Sequence, residues 1–316
     1  MTELGDGWYS RRRAIGGLLS MAGTSLAGCT GVLDPDRTDG DSTGGSRPPV
    51  SILAAGSLQL ALSEGLAALV DVPLRIEAHG STTVARLVAD GNRTPDIVSL
   101  ADTALFDTLL PASWYAVFAS NAIVIAYNTD TDGGQRVAAA GQDAWFRSLL
   151  RDDISLGRTD PDQDPLGYRT LFMLDLASRY YDGVADLRSR LTSREQLYPE
   201  TALLSQFETG AIDAAVVYRN MAVERDFDYI ELPDAIDLSN PDFVEDWYST
   251  VAYELPSGAT VTGDLISYGA TTRRLSRPII DVFRAHVTGE YLTEYGFIVP
   301  DNFPRYTGDV PDSIRE

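Results

Sequence analysis

The chain contains no lysine: all 25 of its basic residues are arginine, set against 46 acidic ones for a net charge of −21. Such an acidic exterior excludes DNA, RNA or an anionic membrane surface as the main partner, because each of these needs a positive face. It fits a heavily solvated surface that stays soluble at high salt, where self-repulsion is screened, and it points to a halophilic source. Cysteine occurs once, at Cys29, so no intramolecular disulfide is available. Histidine occurs twice, at His79 and His286, which leaves a Ser–His–acid set poorly supported. After the first 28 residues no segment has the roughly 20 apolar residues that a membrane-spanning helix needs.

At the N-terminus, Ser10-Arg-Arg-Arg13 precedes a mildly apolar run from Ala14 to Ala27, which ends in Leu26-Ala-Gly-Cys29. A twin-arginine motif, an apolar core and a small-residue cleavage site together form an export signal. Its last four residues resemble a lipobox, in which Cys29 would be lipidated and become the new N-terminus. Residues 1–28 are therefore expected to be a signal peptide and residues 29–49, rich in Asp, Gly, Ser, Thr and Pro, a flexible tether. The folded body would hang by its lipid at the extracellular face of the cell membrane.

From Val50 onward, short apolar strands alternate with amphipathic helices, the pattern of an α/β fold. Strands are predicted over Val50–Ala54, Val72–Ala78 and Asp96–Leu100, then Tyr115–Phe118 and Ala122–Tyr127. A second set runs through strand Ile154–Leu156, helix Leu166–Tyr180, helix Glu200–Glu208, strand Asp213–Val217 and strand Tyr229–Leu232. Strands Tyr248–Leu255 and Leu265–Tyr268 come next, before two final helices. Two α/β sets with a strand-rich return predict two lobes, residues 50–121 plus 254–316 and residues 122–253. A ligand would then lie in the cleft between them, at the carboxyl ends of strands, with hinge closure around it.

Several strand ends carry residues suited to holding an anion. The first strand runs into Ala54-Ala-Gly-Ser57, where Gly56 permits a sharp turn and Ser57 brings a hydroxyl to the free N–H groups of a helix start. The second ends Glu77-Ala-His-Gly-Ser81, repeating the arrangement with Gly80 and Ser81. Each serine also reads as an ordinary N-cap. Asp160, Asp162 and Asp164 alternate in a turn-rich loop that lacks the glycine and terminal glutamate of a calcium hand. Asp164 stands before Pro165 and reads as a helix N-cap; Asp102 is read as a cap as well. Tyr218 closes the strand Asp213-Ala-Ala-Val-Val-Tyr218, where its phenol can donate to a ligand or fill the core. Together these residues suggest neutral donors around a small anion, which avoids the cost of desolvating a full countercharge.

Ala-Ala-Gly-Ser57, Glu-Ala-His-Gly-Ser81, Pro95-Asp-Ile-Val98, the loop Gly157 to Arg169 with its Asp-Pro-Leu-Gly-Tyr-Arg run, Val217-Tyr-Arg-Asn-Met-Ala222 and Leu255-Pro-Ser-Gly followed by Gly263-Asp-Leu-Ile-Ser-Tyr-Gly269 resemble the archaeal tungstate/molybdate-binding proteins of ABC transporters. The likeness covers about residues 50 to 300. It implies the two-lobed type II periplasmic-binding-protein fold, no catalysis, no cofactor, no free metal cation, and a monomer that delivers molybdate or tungstate to a membrane permease driven by a separate ATPase. The resemblance puts the oxyanion on Ser57 and Ser81, with backbone amides, and brings Asp164 towards the oxyanion's metal. The family's second carboxylate would fall just before Tyr218, where this chain has Val217; a tetrahedral or incompletely expanded site is therefore expected, with Asp164 as a lone carboxylate. A sulfate-type binder, and a secreted hydrolase using Ser81 and His79, are the alternatives.

Overall fold

The computed structural model describes residues 47–192 and 196–315. The expected signal peptide, Cys29 and most of the tether lie outside the described residues. Two sheets organise the folded body. The first has six strands: β1 (Val50–Ala55), β2 (Leu74–His79), β3 (Ile97–Leu100), β4 (Trp114–Ser120), β12 (Ser267–Thr272) and β13 (Arg305–Gly308), in the order β13-β4-β12-β3-β1-β2. The second has five: β5 (Ile123–Tyr127), β6 (Leu156–Thr159), β7 (Leu197–Tyr198), β8 (Ala214–Tyr218) and β9 (Tyr229–Glu231), in the order β7-β6-β8-β5-β9. Between β9 and β12 lies a separate two-stranded ribbon of β10 (Ala252–Glu254) and β11 (Thr260–Thr262).

β1 runs parallel to both β2 and β3. All six of its residues are buried, as expected of a parallel strand covered on both faces, and this is why it reads as an apolar run broken only by Ser51, whose hydroxyl donates to Asp96. β4 and β5 are consecutive in sequence, separated only by Asn121 and Ala122, yet belong to different sheets. The chain therefore crosses from one sheet to the other there, and it returns to the first sheet as β12. No helix among the described residues is long and apolar enough to cross a membrane.

Sequence and structure part company at identifiable places. The stretch Leu58–Val70, whose apolar residues recur at helical spacing, is not one α-helix: a 3-10 turn at Gly56–Leu58 is followed by a π-helix at Ala61–Leu66 and one α-turn at Ala67–Leu69. Gly65 packs so closely on Tyr291 that a Cβ there would stand 2.5 Å from the ring, and the wider π turn accommodates that contact. The predicted strand at Tyr248–Leu255 opens as a 3-10 turn and becomes extended only at Ala252. The predicted strand at Leu265–Tyr268 lies instead at Ser267–Thr272, a mostly polar stretch that is buried because β12 sits between β3 and β4. Tertiary position overrides side-chain propensity here.

Candidate functional site

Four strand ends, two from each sheet, bring their next residues into one buried region. β1 turns into Gly56–Leu58 and β2 into the helix Ser81–Ala89. β6 leads through the acidic loop to the helix Pro165–Tyr180, and β8 ends on Tyr218. Ser57, Ser81, Asp164 and Tyr218 are all buried. Shared partners tie them together across the two sheets. The Asn220 side chain donates to the Ser57 carbonyl at 2.8 Å. Arg169 donates to the Ala101 carbonyl at 2.6 Å and to the Tyr218 phenol oxygen at 2.8 Å. Gly80 lies against the acidic loop, where a Cβ would stand 2.5 Å from the Gln163 carbonyl oxygen and 3.0 Å from the Asp164 Cβ.

Three hydroxyls there are oriented from behind. Ser81 Oγ accepts the Ala101 N–H at 2.9 Å. Tyr218 Oη accepts from Arg169. Ser57 Oγ stands 3.0 Å from Tyr268 Oη, which also accepts from the Asn121 amide at 3.3 Å; with Tyr268 as the donor of this pair, Ser57 too has a lone pair engaged at its rear. A hydroxyl has one proton and two lone pairs. With a lone pair engaged at the rear, each of the three keeps an O–H to direct at a further acceptor.

Arg169 anchors this arrangement. Its guanidinium also lies 3.2 Å from Asp102 Oδ2, and Tyr168 donates to that same oxygen at 2.6 Å. Burial disfavours the Arg169 charge, but Tyr218, Asp102 and Tyr168 outweigh burial and its pKa is raised. Asp102, read from the sequence as a helix cap, instead closes the turn ahead of the helix Leu105–Thr108, accepting the Ala104 N–H at 2.9 Å, while Ala104 is that helix's N-cap; its ion pair with Arg169 has no signature in the sequence.

Asp164 is the N-cap of its helix, accepting the Leu166 N–H at 3.0 Å, as the proline after it suggests. Its other oxygen is buried with no hydrogen-bond partner. Burial pushes its pKa up to about 7, while the Leu166 amide, Thr159 and Arg169 pull the other way. Asp164 is not a lone carboxylate. Glu200, first residue of the helix Glu200–Glu208, is buried beside it, and neither of its carboxyl oxygens has a hydrogen-bond partner. Burial, then the Asp164 charge, pushes the Glu200 pKa well up; the Gly56 and Ser57 amides and the Ser57 hydroxyl face the carboxyl and lower it. Val217 is buried in β8 opposite Val124, so the second carboxylate comes from a different element than the one where the resemblance places it. Its signal in the sequence is a glutamate directly after Pro199 at a predicted helix start, a position that reads as routine helix N-terminal charge.

Gly56 opens the 3-10 turn after β1 with an ordinary φ, and a Cβ there would lie 2.5 Å from Glu200 Oε2 unless that side chain shifted. His79 is partly exposed and bonds Glu77 at 2.9 Å, while the Ser81 oxygen is engaged by the Ala101 amide. Asp160 closes its own turn and Asp162 accepts from Tyr253. Among the described residues no group of His, Cys, Asp and Glu is suited to a metal ion.

The family described as bacterial extracellular solute-binding protein matches residues 50–289. A putative ABC transporter molybdenum-binding protein of Haloferax volcanii is 51% identical over 94% of this chain and 93% of its own length. A molybdate/tungstate-binding protein of Thermococcus kodakarensis is 30% identical, over 77% of each chain. Among solved structures, the periplasmic molybdate-binding protein of Azotobacter vinelandii superposes with a TM-score of 0.55 at 13% identity, covering 80% of this chain and all of the other. A sulfate-binding protein of Mycobacterium tuberculosis gives 0.56 at 15% identity, covering 80% and 88%. These two share the type II periplasmic-binding fold.

Proposed function

This chain belongs to the bacterial extracellular solute-binding protein family, whose members are transport proteins and not enzymes, and on that footing we propose that it captures molybdate or tungstate between its two sheets for an ABC permease and its ATPase. The observation that carries the reading is the donor set. Ser57, Ser81 and Tyr218 each have a lone pair occupied from behind, which leaves O–H groups to face a fully deprotonated oxyanion. The strand ends of β1 and β2 add backbone N–H groups, where anions are favoured. Arg169 is neutralised by Asp102 and acts through Tyr218 rather than as a direct countercharge. Donors that carry no charge hold a dianion without a second buried ion to desolvate.

In this reading Ser57, Ser81 and Tyr218 bind the oxygens, Gly56 and Gly80 admit close backbone approach, and Asp164 caps its helix. The names of the relatives from Haloferax and Thermococcus support the choice of ligand. The N-terminal motif supports export by the twin-arginine route and a lipid on Cys29, with the folded body working as a monomer outside the cell membrane.

Calorimetric titration of the purified full-length protein with molybdate, tungstate and sulfate in high salt tests the reading. One molybdate or tungstate per chain, bound more tightly than sulfate, is expected. A preference for sulfate would reassign the ligand, and no heat with any of the three would reject oxyanion capture.

A further inference from the structure

We propose that Asn121, Asn220 and Tyr268 are positioning residues that fix the width of the anion site, and with it the choice between molybdate and the smaller sulfate. The inference deepens the oxyanion reading and rests on it. A ring of buried hydrogen bonds starts and ends on Ser57. The Asn220 side chain donates to the Ser57 carbonyl at 2.8 Å, and its own oxygen accepts from the Asn121 amide at 2.8 Å. That amide also donates to Tyr268 Oη at 3.3 Å, and Tyr268 Oη stands 3.0 Å from Ser57 Oγ. Ser57 is thereby held at its backbone and at its hydroxyl together. All four residues are buried.

The ring joins parts that would have to move if the two sheets separated. Asn121 lies in the short crossover between β4 and β5, Tyr268 lies in β12 of the first sheet, and Asn220 lies in the short helix Arg219–Val223 after β8. Tyr218, the donor from the second sheet, is the N-cap of that same helix. A backbone partner fixes which way round each amide sits: Asn121 Oδ1 accepts the Ala122 N–H at 2.9 Å, and Asn220 Nδ2 serves the Ser57 carbonyl. The other N–H of Asn220 reaches Glu224 Oε2 at 3.4 Å, so every amide hydrogen of the pair has an acceptor. A buried polar network satisfied in this way specifies one arrangement. It therefore sets how far the Ser57 hydroxyl stands from the Tyr218 hydroxyl. Molybdate and sulfate are both tetrahedral dianions, and molybdenum–oxygen bonds are the longer, so width is what tells them apart. The three residues carry no charge and act on width alone.

Tyr268→Phe keeps the ring packed against Phe118, Tyr218 and Phe297 and removes only the hydroxyl; Asn220→Ala cuts the network on its other side. Full-length wild type, the two single variants and the double variant are titrated calorimetrically with molybdate, and sulfate affinity is read from displacement of bound molybdate at constant ionic strength. Each single variant is expected to weaken molybdate binding about five- to tenfold, the effect of losing one hydrogen bond, and sulfate binding by about twofold or less. The double variant is expected to match the weaker-binding single variant rather than the product of the two losses, because both cut one network. Equal fractional losses for the two anions, or losses that multiply in the double variant, would overturn the proposal while leaving anion capture intact. Unchanged discrimination in Tyr268→Phe would overturn it as well, and that variant decides the matter alone if Asn220→Ala does not fold. Failure of wild type to bind either anion would reject the functional reading, and the positioning role with it.

Discussion

Replacing Arg169 is expected to damage stability and binding by separable amounts. The guanidinium is buried, contacts the Ala101 carbonyl, Tyr218 and Asp102, and thereby joins the helix Pro165–Tyr180 of one sheet to the end of β3 in the other. Arg169→Met would leave Asp102 with Tyr168 as its remaining side-chain partner and a buried charge without its counterion. Removing one member of a buried pair costs about 3–5 kcal/mol, which for a body of this size corresponds to a fall of about 10 °C in melting temperature. Arg169→Lys keeps the charge but loses the planar fork that serves three acceptors at once. It should lose about half as much stability, yet still weaken molybdate binding by about tenfold, because Tyr218 is no longer held with its proton turned towards the ligand. Differential scanning fluorimetry and calorimetry on the two variants separate these effects. A loss below about 1 kcal/mol in Arg169→Met would refute the claim that this residue organises the site.

Ser81→Ala and Ser57→Ala should each cost about 1.5–3 kcal/mol of anion affinity, the range for a hydrogen bond to a charged group, and calorimetry would read this as about 10- to 100-fold weaker binding. Gly80→Ala places a methyl 2.5 Å from the Gln163 carbonyl oxygen and should lower urea stability by about 1–3 kcal/mol through overpacking. Stability of the folded body should fall as pH rises from about 5 to about 8 on account of Asp164, Asp237 and Glu224. Burial raises their folded pKa values to about 7, 7 and 8, above the ordinary 3.8 and 4.5 of aspartate and glutamate, so the native state holds protons that the unfolded chain has released. Asp237→Asn should flatten that slope in urea titrations at several pH values. His286 acts in the opposite sense: buried between Ser99 and Tyr291, with its pKa lowered to about 3, it withdraws stability as pH falls below about 6.5, and His286→Phe should remove that acid sensitivity.

The strand–glycine–serine junctions are legible because a strand ending in Gly-Ser before an amphipathic helix is a local pattern. Asp164 as a cap follows from the proline beside it. What stays hidden depends on contacts distant in sequence. Glu200 meets Gly56, 144 positions away, and nothing near Glu200 distinguishes it from ordinary helix N-terminal charge. Arg169 is visible inside the acidic loop's motif, but its reach to Ala101, Asp102 and Tyr218 comes only from the packing of two sheets. β13, with the sequence Arg-Tyr-Thr-Gly, has exposed residues throughout and no alternation to mark it; it is a strand because the edge of β4 pairs with it.

A single anion position shared by hydroxyls from both sheets is the central claim. A crystal of the protein grown with tungstate, measured on either side of the tungsten absorption edge, tests this most directly. One anomalous peak is expected, with its oxygens within hydrogen-bonding distance of Ser57 Oγ, Ser81 Oγ and Tyr218 Oη. A peak elsewhere on the molecule, or a tungstate touching the residues of one sheet alone, would contradict it.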